Sequence, residues 1–102
     1  MQVTAKVSGD SLYIFLEGEL DEYNAREARS LVDAAIDANL SCGSVVLDLS
    51  GIHFMDSSGI GFLIGRYKKL KNLRTPLYVS SPDLAADKIL SMSGVYTLIP
   101  KL

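Results

Sequence analysis

The chain has 102 residues, 48% of them apolar and 22% charged, with a formal net charge of −2, which is the size and composition of one ordinary folded domain. A single cysteine, Cys42, and a single histidine, His53, rule out an internal disulfide and the usual zinc sites. The small negative charge argues against a role in gripping nucleic acid, no apolar run reaches membrane-spanning length, and Met1–Lys6 lacks a signal-peptide core, so a cytoplasmic location is expected.

Val3, Ala5 and Val7 alternate with Thr4, Lys6 and Ser8, the period of a half-buried strand. Gly9-Asp10 supplies a tight turn, and Leu12–Leu16, apolar throughout, predicts a second strand covered on both faces. The two most simply form a hairpin. From Asn24 to Leu40, Ala28, Leu31, Val32, Ala35 and Ile36 recur at helical spacing, with Arg26, Glu27, Arg29, Asp33 and Asp37 on the other side. Cys42-Gly43 closes that segment, and Val45–Leu49 is a branched run typical of a buried parallel strand.

A second helix is predicted from about Ser57 to Asn72, with Ile60, Leu63, Ile64, Tyr67 and Leu70 on one stripe. Leu77–Val79 is the next strand. Ser81 as N-cap and Pro82 in the first turn open a third helix that reaches about Met92 and stops near Gly94. Tyr96–Ile99 reads as a last strand. The order β-β-α-β-α-β-α-β requires right-handed crossovers. The class is therefore α/β: one domain over residues 1–102, with a mixed, mostly parallel sheet of about five strands and three or so helices.

Charge is unevenly spread. Residues 1–50 carry nine acids and three bases, and residues 51–102 carry three acids and seven bases. Glu17, Glu19, Asp21 and Glu22 cluster in one stretch, and Arg66, Lys68, Lys69, Lys71 and Arg74 in another. The plain expectation for both is a solvated face, with the basic residues also suiting the last turns of a helix.

Catalytic patterns are weak. His53, Asp56 and Ser57 invite comparison with a triad, but triads assemble from distant segments, and Met55–Gly59 is not a glycine-flanked nucleophile elbow. Gly59, Gly61 and Gly65 miss the dinucleotide fingerprint by one residue, and no phosphate loop occurs. No enzyme activity, metal or cofactor is expected. Three glycines in a helix cost it about 1 kcal/mol each. Close packing on the sheet is one explanation. Another is a surface that a second molecule approaches closely, flanked by Phe62 and Ile64.

Asp56-Ser57-Ser58-Gly59 stands where a strand gives way to a helix. By itself it reads as an N-cap, because Asp and Ser bind the free N–H groups of a first turn. The capping box is incomplete, since Ile60 follows Ser57 by three. The same position also suits a phosphate, which the helix N-terminus stabilises. Adding about −1.5 to −2 charges there alters a surface and leaves the fold intact.

Residues 45–71, VVLDLSGIHFMDSSGIGFLIGRYKKLK, resemble the signature stretch of the bacterial anti-sigma factor antagonists, the small single-domain STAS proteins. Gly18-Glu19-Leu20-Asp21 is similar to the family's acidic motif before the first helix, and Ser81-Pro82 and Met92–Val95 to its later landmarks. The resemblance implies a STAS fold and partner switching. In the family the unphosphorylated protein binds an anti-sigma factor that is also a serine kinase, and so frees the sigma factor. Phosphorylation of the serine after the motif aspartate blocks that binding, and a PPM-type serine phosphatase reverses it.

Carried onto this chain, the resemblance makes Ser57 the phosphoacceptor, with Ser58 as runner-up. It places Asp21, Asp56, Ser57, Ser58, Gly59, Gly61 and Phe62 at the partner surface, and implies no nucleic acid or membrane partner. Glu19, Asp21 and Glu22 are expected to steer the protein toward a basic patch. A STAS subunit of a transporter or stress-sensing assembly, or a switch acting on a non-sigma target such as secretion, stands as the alternative. Family members usually continue into another helix beyond the position of Leu102. That leaves an expected oligomeric state of monomer or weak homodimer.

Overall fold

Four strands and three helices follow in the order β1 (Gln2–Ser8), β2 (Ser11–Leu20), α1 (Ala25–Asp37), β3 (Ser44–Met55), α2 (Ser57–Asn72), β4 (Leu77–Ser80) and α3 (Leu84–Ser93), in a computed structural model that describes residues 1–102. The sheet order is β1-β2-β3-β4. β1 pairs antiparallel with β2 through the Gly9-Asp10 turn, where Gly9 takes φ 60, and the β2–β3 and β3–β4 pairs are parallel.

Register explains which residues are covered. Leu12, Val45 and Leu77 align across the parallel strands, as do Ile14, Leu47 and Val79. All six are buried in one core with Ala28, Val32 and Ile36 of α1, Phe62, Leu63 and Leu70 of α2, and Ala86 and Leu90 of α3. The helices therefore share one face of the sheet. The other face carries the row Tyr13–Val46–Tyr78, where Val46 is buried outside that core and Tyr13 is 42% exposed. β2 is thus covered on one face, not both. In β1, Val3 is half-buried and Val7 is 49% exposed, because this outer strand reaches past the helical layer.

Three further expectations are corrected. Tyr96–Ile99 is not a strand: Val95–Thr97 forms a 3₁₀ turn after Gly94, whose φ is 78. Thr97 and Leu98 donate back to the Gly94 and Val95 carbonyls, and Pro100 has no N–H for a ladder. Only Lys101 bridges to Val79, so the sheet has four strands, not five. α3 is capped by Asp83, whose carboxylate accepts from the Ala86 N–H at 2.8 Å, while Ser81 and Pro82 lie outside it. α1 ends at Asp37, and Leu31, rotated off the Ala28–Val32–Ile36 stripe, is 40% exposed.

The basic run is not simply a solvated face either. Arg66 is 4% exposed, with its Nε 2.8 Å from Asp33 Oδ1, and Lys69 Nζ lies 3.0 Å from Asp37 Oδ1. Charges on facing flanks of α1 and α2 thus tie the two helices together.

Candidate functional site

Leu20 and Met55 are the last paired residues of β2 and β3, and the Asp56 N–H donates to the Leu20 carbonyl at 3.2 Å. Asp21 and Asp56 therefore leave two neighbouring parallel strands side by side, at the carboxyl edge where α/β sheets generally bind their ligands. Asp21 holds the turn that leads into α1, and Asp56 caps α2. Asp21 Oδ1 accepts from the N–H groups of Tyr23 (3.0 Å) and Asn24 (2.9 Å), and its carbonyl accepts from Ala25 at 2.9 Å. Asp56 Oδ1 accepts from the Ser58 N–H at 2.8 Å, and its carbonyl from Gly59 at 2.9 Å.

Asp56 is thus the cap of α2, which leaves Ser57 as its first residue, exposed to solvent. Ser58 is half-buried, with its N–H engaged by Asp56. Ser57 stands in the first turn of a 16-residue helix, the N–H-rich end where the dipole favours negative charge.

The glycines of α2 divide into two kinds. A Cβ on Gly59 would lie 2.5 Å from Met55 Cγ and 3.3 Å from the Leu20 carbonyl oxygen, so this glycine lets the first turn of α2 sit on the strand ends. A Cβ on Gly61 or Gly65 meets nothing within 4 Å. Sheet packing accounts for Gly59 only. Of the residues expected at a partner surface, Gly59 is buried, and Phe62 is 5% exposed, with its ring centroid 5.5 Å from Arg66 Cζ and its side chain on the lining of a groove between α1 and α2. Asp21, Asp56, Ser57, Ser58 and Gly61 remain at the strand-end edge or on the accessible side of α2.

Two features escaped the sequence. Tyr23, 84% exposed, and Phe54, 52% exposed, place aromatic surface beside the two aspartates. The opposite pairing of Phe54 with Glu19, across a register irregularity in β2, is not visible in a linear motif. The other is a groove between α1 and α2, lined by Arg26, Arg29 and Arg66. Burial pushes the Arg66 guanidinium down from its ordinary pKa, against the pull of Asp33. No three His, Cys, Asp or Glu side chains gather as metal ligands, and no helix is long and apolar enough to cross a membrane.

The sequence profile of the STAS domain matches residues 2–102. An anti-sigma F factor antagonist from Paenibacillus polymyxa is 35% identical over 89 residues, covering 87% of this chain and 75% of that protein. Among solved structures, the anti-sigma factor antagonist SpoIIAA in its unphosphorylated form superposes with a TM-score of 0.77 at 22% identity, covering 99% of this chain and 88% of that one. The phosphorylated form of the Bacillus cell fate determinant SpoIIAA gives 0.69 at 22% identity, over 99% of this chain and 91% of that one. These structures share the mixed-sheet architecture described above.

Proposed function

The chain belongs to the STAS domain family, and from that premise we propose that it is an anti-sigma factor antagonist that works by partner switching. Unphosphorylated, it binds an anti-sigma factor that is also a serine kinase and displaces the sigma factor; phosphorylation of Ser57 ends the binding, and a PPM-type phosphatase restores it. The observation that carries this reading is the position of Ser57, exposed at the first residue of a helix whose cap is supplied by its neighbour Asp56. The hydroxyl is therefore dispensable to the fold and available to a kinase.

The physics fits a switch. A phosphate on Ser57 is stabilised by the helix N-terminus, so the domain tolerates it. Against a bound partner it brings about two negative charges beside Asp56, and burying them without a new cation costs several kcal/mol. A change of 10²–10⁴ in affinity needs only about 3–6 kcal/mol. The relative named above is an anti-sigma F factor antagonist, and SpoIIAA has been solved in both phosphorylation states. Both support the reading.

The test is incubation with an anti-sigma factor of the serine-kinase type and ATP, followed by intact-mass measurement and peptide mapping. One phosphate on Ser57, and none on the Ser57→Ala protein, is the expected result. Stoichiometric phosphorylation of Ser57→Ala overturns the site assignment and points to Ser58.

A further inference from the structure

Beside Ser57 lies a groove that the switch itself leaves unused. It encloses about 260 Å³ between α1 and α2, with Arg26 and Arg29 on one wall and Gly61, Gly65 and Arg66 on the other. Three guanidinium groups line it, and two of them face one carboxylate: Asp33 lies 2.8 Å from Arg66 Nε and 3.8 Å from Arg29 Nε. The groove is therefore net positive in a chain whose overall charge is negative.

Two observations indicate that something enters it. Arg66 is 4% exposed, and its Nε makes no aligned hydrogen bond despite the short approach to Asp33. Burial works against its ionised form, which Asp33 supports and the like charge of Arg29 again opposes. A second anion over the groove would relieve that cost, since charge-assisted contacts to guanidinium are among the stronger ones. The second observation is the empty space above Gly61 and Gly65. Glycine weakens a helix relative to alanine, and no packing contact in the fold requires it at either position. Such open space suits close approach by another backbone.

We propose that this groove receives an aspartate or glutamate side chain of the bound protein partner, held between Arg26 and Arg29 with Arg66 behind it, while the partner's backbone crosses the Gly61–Gly65 step. The occupant is one acidic side chain, not a small-molecule ligand, because the space falls below the range of about 300–1,000 Å³ typical of small-molecule pockets. Charge then works in both directions across the contact: Glu19, Asp21 and Glu22 face a basic patch on the partner, and this groove takes an acid from it. The proposal rests on the protein-binding reading above.

The test compares Arg26→Gln/Arg29→Gln with Lys6→Gln/Lys88→Gln, which removes the same charge from exposed positions elsewhere. Calorimetry against the anti-sigma factor is expected to show at least about tenfold weaker binding for the first, with a shallower salt dependence, and little change for the second. Gly65→Leu, which fills the groove from a position with open space, should weaken binding to a similar degree with a melting temperature no lower than that of the wild type. Equal binding by the two double variants overturns the proposal. If the wild-type protein does not bind the anti-sigma factor at all, the switching reading fails, and the groove is judged by NMR titration with a hexaglutamate peptide. Saturable shifts at the Gly61 and Gly65 amides, lost in the double arginine variant, support it. No shift, or the same shift with inorganic phosphate at matched ionic strength, overturns it.

Discussion

Gly59 and Gly61 stand two residues apart on α2 for opposite reasons. Gly59 is on the inner side, where an added methyl would run into Met55 and the Leu20 carbonyl. Gly61 and Gly65 are on the side turned toward the α1–α2 groove, where an added methyl would meet nothing. Packing requires the glycine on one side of the helix and leaves those on the other side free of any contact within the fold. Identical residue types in one short motif thus carry two different kinds of information, and only packing separates them.

That contrast breaks most visibly at the seam between the two sides. Removing the anion with Asp33→Asn leaves the buried Arg66 unpaired and should destabilise the domain by about 3 kcal/mol in urea unfolding. Gly59→Ala trades about 1 kcal/mol of helix propensity against a larger steric cost, for a net loss of about 1 kcal/mol in the same assay. Gly61→Ala and Gly65→Ala should go the other way, each raising stability by up to about 1 kcal/mol while weakening the complex with the anti-sigma factor. If either proves destabilising, the outer side of α2 is structural after all.

The smallest effect expected lies outside the α1–α2 groove, on α3 and the segment after it, and serves as a control. The Tyr96 hydroxyl and then Lys101 hydrogen-bond the Asp87 carboxylate and hold it below its ordinary value of 3.8. A carboxylate depressed in the folded state stabilises above its unfolded pKa and stops doing so as pH falls through the folded value. The stability difference between wild type and Asp87→Asn should therefore be present at pH 6 and shrink below about pH 4. It should leave the binding of the partner unchanged.

Much of this was legible in the sequence. The element order as far as α3, the bounds of α2 and the left-handed stop at Gly94 follow from periodicity and local backbone chemistry, which short segments determine by themselves. So does the position of Ser57 at a helix start. What escaped depends on distant segments. Val7 has the alternation of a half-buried strand, but the helical layer ends before reaching it. Tyr96–Ile99 has strand composition, but Gly94 turns it and Pro100 cannot pair. Phe62 reads as a flank of an outer surface but is mostly buried in the core, and Arg66 reads as solvated until Asp33, from another helix, lies against it. The groove of arginines was invisible for the same reason, since Arg26, Arg29 and Arg66 come together only when α1 and α2 pack.

The central claim is that one phosphate on Ser57 leaves the fold intact and removes the partner. It is tested most directly by measuring the affinity of wild-type protein, enzymatically phosphorylated protein and Ser57→Asp for the anti-sigma factor by calorimetry, alongside their thermal melts. The expected result is near-equal melting temperatures, with binding weakened by about 10²–10⁴ in the phosphorylated form and in the same direction for Ser57→Asp. Phosphorylated protein that binds as tightly as the unmodified chain would contradict it.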